Sequence, residues 1–388
     1  MSGSTVATRY WHRMEDGRVQ CDVCPRSCRL REGQRGFCFV RMRQDDAVVL
    51  TTYGRSSGFC VDPIEKKPLN HFLPGSPVLS FGTAGCNLGC RFCQNWDISK
   101  SREIDTLADA ATPDALARAA RTLGCRSVAF TYNDPVIFME YAIDVADACR
   151  DAGIRSVAVT AGYMCAQPRT EFYRHIDAAN VDLKGFSGGF YRRVCLAELE
   201  PVLETLLYLK HETSVWLEIT NLLIPELNDS DQEIDAMTQW VADKLGPDVP
   251  MHFTAFHPDF KMRDRPPTPA ATLTRARRIA LANGIRYAYT GNVRDTAGQS
   301  TYCHQCGELA IERDWYRLGA WRLTDDFRCP TCNTRMAGVF DCPPGTWGPR
   351  RQPVRLASPG PVTPHSGRAA GPACDSPTTR SARSESTA

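Results

Sequence analysis

The chain has 388 residues, 43% of them hydrophobic and 23% charged, with a formal net charge of +2. That balance is ordinary for a globular protein and gives no electrostatic case for binding nucleic acid or an anionic membrane. No apolar run approaches the roughly 18 residues of a membrane span, and residues 1–13 lack the apolar stretch of a secretory signal, so a cytoplasmic location is the default expectation.

Cysteine is unusually abundant, at 18, and eleven of these residues fall into three groups along the chain. A cytosolic chain keeps its thiols reduced, so close cysteine spacing reads as metal or redox chemistry rather than as disulfides. Residues 1–76 are charged, show little periodicity and carry the first group, Cys21, Cys24, Cys28 and Cys38. Four thiolates suit either zinc or a second iron–sulfur cluster. Their irregular spacing follows no ferredoxin pattern, which leans towards zinc.

From residue 77 to about 300, short apolar runs alternate with helix-like segments. The runs at 78–81, 127–132, 156–160, 180–183, 215–220, 252–256 and 286–289 are β-branched and aromatic, several of them apolar on both faces, as buried parallel strands are. Helical patterns cover 113–123, 136–151, 201–211, 229–244 and 269–283. Thr112 before Pro113 fits an N-cap with proline in the first turn, and Gly153 and Gly284 stand where helices should stop. Repeated strand–helix units predict a parallel α/β architecture, doubly wound or barrel-like, whose ligands gather at the C-terminal strand ends.

The first of these strands runs into Gly82-Thr83-Ala84-Gly85 and then Cys86-x-x-x-Cys90-x-Phe92-Cys93. Three thiolates on one loop can hold three irons of a cubane, leaving the fourth open to a small chelating molecule. A zinc site would need a fourth ligand, and neither a histidine nor another cysteine lies close by.

Beyond the core, Cys303-x-x-Cys306 and Cys329-x-x-Cys332, 22 residues apart, read as a structural zinc ribbon over residues 301–342. The segment is not notably basic, which argues against nucleic acid. Residues 343–388 are rich in Pro, Ser, Gly, Arg and Thr, and are expected to be disordered.

The spacing Cys86-x-x-x-Cys90-x-aromatic-Cys93 resembles the signature of the radical S-adenosylmethionine (SAM) superfamily. Asp62-Pro63-Ile64-Glu65-Lys66-Lys67-Pro68-Leu69, His71-Phe72, Pro74-Gly75-Ser76 and Cys93-Gln94-Asn95-Trp96 are similar to the branch near pyruvate formate-lyase activating enzyme. Within it they resemble the AmmeMemoRadiSam system radical SAM enzymes. The resemblance implies a partial (β/α)6-type parallel barrel, a [4Fe–4S] cluster on the three cysteines, and SAM bound to the open iron. It further implies reductive SAM cleavage, hydrogen abstraction from an unidentified substrate, and an electron donor such as flavodoxin or ferredoxin. Ammecr-type and Memo-type proteins are the partners it suggests.

By the same resemblance, Asp134, ahead of Pro135, corresponds to the acidic residue that receives the SAM ammonium, although the family pattern has Glu there. Asp182 and Lys184, in an Asp-Leu-Lys element, would reach the SAM ribose, its carboxylate or the substrate. His257, at the end of the sixth strand, is the histidine candidate for a SAM contact. Ala161 stands where a polar residue is usual, and Glu226 replaces a usual Gly. The plainer alternatives are a turn at Asp134, an ion pair of Asp182 with Lys184, and a solvent role for His257. At the level of function, the alternatives are a glycyl-radical activase and a non-catalytic, zinc-stapled binding protein.

Overall fold

The computed structural model describes residues 5–100 and 109–356. The apolar runs form the strands of one sheet. Strand β1 (Arg55–Pro63) lies antiparallel to β2 (Pro77–Gly82), and β3 (Ser127–Phe130), β4 (Arg155–Thr160), β5 (Ala178–Asp182), β6 (Trp216–Leu223), β7 (Met251–Ala255) and β8 (Ala288–Gly291) follow in parallel and in chain order. Strands buried on both faces need helices on the outside, and six crossovers supply them: α1 (Pro113–Thr122), α2 (Met139–Asp151), α3 (Ala166–Tyr173), α4 (Glu200–Glu212), α5 (Asp231–Leu245) and α6 (Ala270–Ala282). Seven parallel strands with six helical crossovers form the parallel α/β architecture that the alternation predicts, and their edge strands are unpaired with each other among the described residues, as in the partial barrel that the resemblance implies.

Local signals account for two of the helix starts. Thr112 caps α1, its hydroxyl accepting from the Ala115 N–H at 3.3 Å, and Ser230 caps α5 in the same way at 3.2 Å. Helix α3 is absent from the sequence reading. Its third residue is Pro168, which normally breaks a helix but is tolerated in the first turn, where its missing N–H has no partner to lose.

Both cysteine-rich flanks are built onto this core. Two three-stranded antiparallel sheets occupy residues 6–50, and Val19, Val23, Leu30, Val40 and Val48 share one apolar cluster with Phe81, Leu88 and Phe130. Arg41, 2% exposed, is anchored by Glu140 of α2 and donates to the Ile137 carbonyl at 2.9 Å. A buried guanidinium needs such partners on every side.

At the other end, strands Thr301–Tyr302, Leu309–Asp314 and Arg317–Trp321 form a sheet over a second small core of Tyr287, Tyr289, Ile311, Leu323 and Met336. The expected disorder from Pro343 onward fails up to Leu356. Gln352–Pro353 pairs with the free edge of β1, Trp347 donates to the Gly75 carbonyl at 2.9 Å, and Val354 and Leu356 pack against the core. Averaging composition over the whole tail hides these few apolar residues and the backbone groups of β1 that they satisfy. The rest of the expected tail, 357–388, lies outside the described residues. Among the described residues no helix is long and apolar enough to cross a membrane.

Candidate functional site

The C-terminal ends of the parallel strands surround a cavity of about 420 Å³, within the usual range for a small-molecule site. Thr131 and Asp134 follow β3, Thr160 ends β4, Asp182 ends β5, Thr220 and Leu222 lie on β6, His252 and Thr254 on β7, and Thr290 on β8. Cys86, Cys90 and Cys93 line the same cavity from the loop after β2.

That loop is tightly packed. Gly85 has φ +85°, and a Cβ on it would stand 1.9 Å from the Cys38 carbonyl oxygen; a Cβ on Gly82 would meet the Thr131 carbonyl at 2.6 Å. Only glycine lets the backbone come that close. Asn133 closes the loop from the next strand: its amide donates to the Gly85 carbonyl at 2.8 Å and its oxygen accepts from the Thr83 N–H at 3.1 Å. On the far side, Gly89 and Arg91 donate backbone bonds to the carbonyls of Cys195 and Val194 at 2.9 and 3.0 Å.

The three thiols differ in their surroundings. Burial pushes Cys86 up to about 12 and raises Cys93. Cys90 is drawn down to about 7 by its hydrogen bond with Cys195, against burial, with Lys184 and Lys100 adding to the effect. The Leu88 N–H reaches the Cys86 sulfur at 3.5 Å, and the Ser99 hydroxyl is 3.1 Å from that of Cys93. Thiolate-stabilising cations and donors of this kind suit metal ligation.

Asp134 reaches the cavity and is also the turn residue of the plainer alternative. Its carboxylate accepts from the Val136 N–H at 3.1 Å, the Thr160 hydroxyl at 2.9 Å and the Ala161 N–H at 2.9 Å. Burial raises its pKa, opposed by those three donors. Ala161 therefore contributes its backbone rather than a side chain. Asp182 and Lys184 pair at 2.6 Å. Burial alone would depress Lys184, yet Asp182 and the Cys90 thiolate raise it, so the ammonium is retained beside the cysteines.

His257 is not brought to this cavity; it is exposed, beyond the end of β7. The cavity histidine is His252, whose Nε2 lies 2.7 Å from Glu218. Strand alternation carries the signal that separates them, since 252 and 254 share the inward face and 257 has the opposite parity. Glu218 itself is fully buried and accepts from the backbone N–H groups of Asn70 and His71 at 2.9 and 2.7 Å, so it orders the Pro68–Asn70 wall of the cavity. Arg313, Trp315 and Tyr316 line the cavity from the C-terminal segment. Sequence spacing carries no sign of these three residues, because they come from another element about 220 residues downstream of Cys93.

The two flanking cysteine groups have different shapes. The sulfurs of Cys303, Cys306, Cys329 and Cys332 all lie within 4.8 Å of one another, with Cys303–Cys332 at 3.5 Å and Cys306–Cys329 at 3.6 Å. Cys21, Cys24, Cys28 and Cys38 instead line a separate small cavity against the loop that carries Cys86.

Residues 81–238 match the family model described as the radical SAM superfamily. An uncharacterized protein of Methanocaldococcus jannaschii is 38% identical over 328 residues, covering 84% of this chain and 97% of that protein. Among solved structures, a domain of pyruvate-formate lyase-activating enzyme from Bacteroides vulgatus superimposes with a TM-score of 0.38 at 18% identity, over 43% of this chain and 99% of that one. A radical SAM methyltransferase from Sphaerobacter thermophilus gives 0.45 at 15% identity, over 76% and 80%.

Proposed function

Because this chain belongs to the radical SAM superfamily, we propose that Cys86, Cys90 and Cys93 hold a [4Fe–4S] cluster and that the cavity above them binds SAM and a substrate. One observation carries the reading: three thiols of a single loop face a cavity to which every parallel strand end contributes. The donor set fits the group. No three of these sulfurs with any fourth ligand crowd to zinc spacing among the described residues, and the loop backbone is locked by Asn133 and by contacts only glycine permits. When bound, the cluster and SAM supply one-electron cleavage of a carbon–sulfur bond and hydrogen abstraction from the substrate.

The chain's own residues bind, orient and shield. Asp134, held by three donors, presents a fixed carboxylate that suits an ammonium group. The Asp182–Lys184 pair offers one hydrogen-bond acceptor and one cation for hydroxyl and carboxylate groups. Arg313, Trp315 and Tyr316 wall the cavity and exclude water. Electrons would come from a flavodoxin- or ferredoxin-like donor, and the AmmeMemoRadiSam group is the branch we favour, on the motifs from Asp62 to Trp96. For the C-terminal tetrad we propose zinc, since four sulfurs within 4.8 Å fit a tetrahedral ion with Zn–S bonds of about 2.3 Å.

The test is anaerobic reconstitution with iron and sulfide, addition of dithionite and SAM, and quantification of 5′-deoxyadenosine. The intact chain is expected to produce it, and Cys90→Ala to lower the yield by at least a hundredfold, equivalent to about 2.7 kcal/mol. Undiminished production by Cys90→Ala would remove the assignment.

A further inference from the structure

We propose that Cys21, Cys24, Cys28 and Cys38 hold a second [4Fe–4S] cluster, seated directly behind the catalytic loop, rather than a zinc ion. The spacing of these residues leans towards zinc, and the folded arrangement points the other way.

The argument rests on the span of the sulfurs. Zinc with Zn–S bonds of about 2.3 Å draws four thiolates to within about 4 Å of each other. The C-terminal tetrad has that arrangement: all four sulfurs lie within 4.8 Å. Among the described residues no other set of three or more ligand side chains does so, and the N-terminal tetrad is thereby excluded. Its four cysteines stand apart around a cavity that all of them line. A cubane carries its cysteine sulfurs outside four irons and four sulfides, and so needs both the wider span and the enclosed space. Among the described residues the Cys86, Cys90, Cys93 triplet forms no such close group either.

The surroundings suit a bound cluster. Cys21 and Cys38 are buried, Cys24 and Cys28 half-buried, and none is in a disulfide. The Phe37 N–H points at the Cys28 sulfur at 3.4 Å, the kind of donor that stabilises ligating sulfur. Val23, Val136 and Ile137 give the cavity apolar walls, and Arg26 and Arg41 bring positive charge. That charge would serve zinc thiolates equally, so it is the span that decides the metal.

The position gives the site a purpose. Asn87, between Cys86 and Leu88, is part of the cavity wall, and its carbonyl accepts from Arg26 Nε at 2.9 Å. Gly85 packs on the Cys38 carbonyl. One thickness of backbone separates the two cysteine groups, and Phe37 on the outer side is 43% exposed. A cluster here would take one electron from a low-potential iron–sulfur or flavin donor and return it, in a single transfer, to the catalytic cluster.

The experiment uses the full chain with Cys86, Cys90 and Cys93 all replaced by Ala, so its result does not depend on the catalytic cluster. Purified anaerobically and reconstituted with iron and sulfide, this variant should hold about four iron and four sulfide per chain and about one zinc. Dithionite reduction should give the electron paramagnetic resonance signal of a reduced cubane. Adding Cys24→Ser should remove the iron and leave the zinc. A variant with no iron, whether it carries a second zinc or empty thiols, overturns the proposal, as does iron that survives Cys24→Ser. If the triple variant does not fold, Cys24→Ser alone in the otherwise intact chain should lose about half the iron at unchanged zinc, and an unchanged iron count overturns the proposal.

Discussion

Glu65 and His71 are both buried, and burial pushes them in opposite directions. Burial lifts Glu65 from 4.5 to about 7, while the Gly75 N–H holds its carboxylate at 2.7 Å. Burial lowers His71 from 6.5 to about 4. The neutral His71 ring donates from Nδ1 to the Ala337 carbonyl and accepts at Nε2 from the Tyr289 hydroxyl. Between pH 4.5 and 7 the folded chain keeps a proton on Glu65 that the unfolded chain releases, so that contribution to stability is lost as pH rises. Between pH 6.5 and 4 the unfolded chain takes a proton on histidine that the folded chain refuses, so that contribution is lost as pH falls. The two largely offset each other. Glu65→Gln removes one of them: relative to the natural chain, the variant should gain about 3 kcal/mol between pH 4.5 and pH 7. Urea unfolding of both proteins at the two pH values measures this, and a constant difference would place Glu65 at its ordinary value. At this scale the sequence was legible where residues act through local spacing, as in the cysteine triplet and the Asp182–Lys184 pair. It was not legible where burial reverses a side chain's habit. Nothing in the string of letters says that Glu65 and His71 face inward.

Among the elements, the loop after β2 carries the sharpest steric constraint. Gly85→Ala combines a left-handed φ, costing about 1–2 kcal/mol, with direct overlap of the Cys38 carbonyl. It should lower stability by more than that figure and strip iron from the catalytic site. Gly124 has a similar φ of +68° but nothing within 4 Å, so Gly124→Ala should cost about 1–2 kcal/mol and leave the iron in place. Iron per chain and thermal unfolding distinguish the two, and equal losses would mean that the Gly85 contact is unimportant. The same contrast explains which elements could be read in advance. Strands β2–β8 announce themselves through apolar runs, and α1 through Thr112 and Pro113. Helix α3 is masked by Pro168, and the small sheets of residues 6–50 are too short to establish a period. The wide span of the first cysteine group is a tertiary property that spacing alone could not convey.

Taken as a whole, the molecule completes its cavity with residues from far apart in the chain. Arg313 shows how: fully buried, it donates to the Asn70 carbonyl and the Thr301 hydroxyl, each at 2.6 Å, and thereby ties the C-terminal sheet to the cavity wall. Loss of the ribbon metal should therefore be felt at a distance. Cys332→Ser is expected to release the zinc and retain the catalytic iron, and to weaken SAM binding by about tenfold or more, about 1.4 kcal/mol. Cys90→Ala should do the reverse, losing that iron and keeping the zinc. Metal analysis with equilibrium SAM binding checks both, and loss of the two metals together in either variant would contradict their independence.

This long-range closure also has a consequence in time. Tyr316 is made more than 220 residues after Cys93, which at about 5–20 residues per second is an interval of about 10 to 45 s. Throughout that interval the nascent chain carries the three thiols without Arg313, Trp315 and Tyr316, which line the same cavity. Translation thus leaves a window in which the proposed cluster could be delivered to these thiols before the C-terminal wall of the cavity is made.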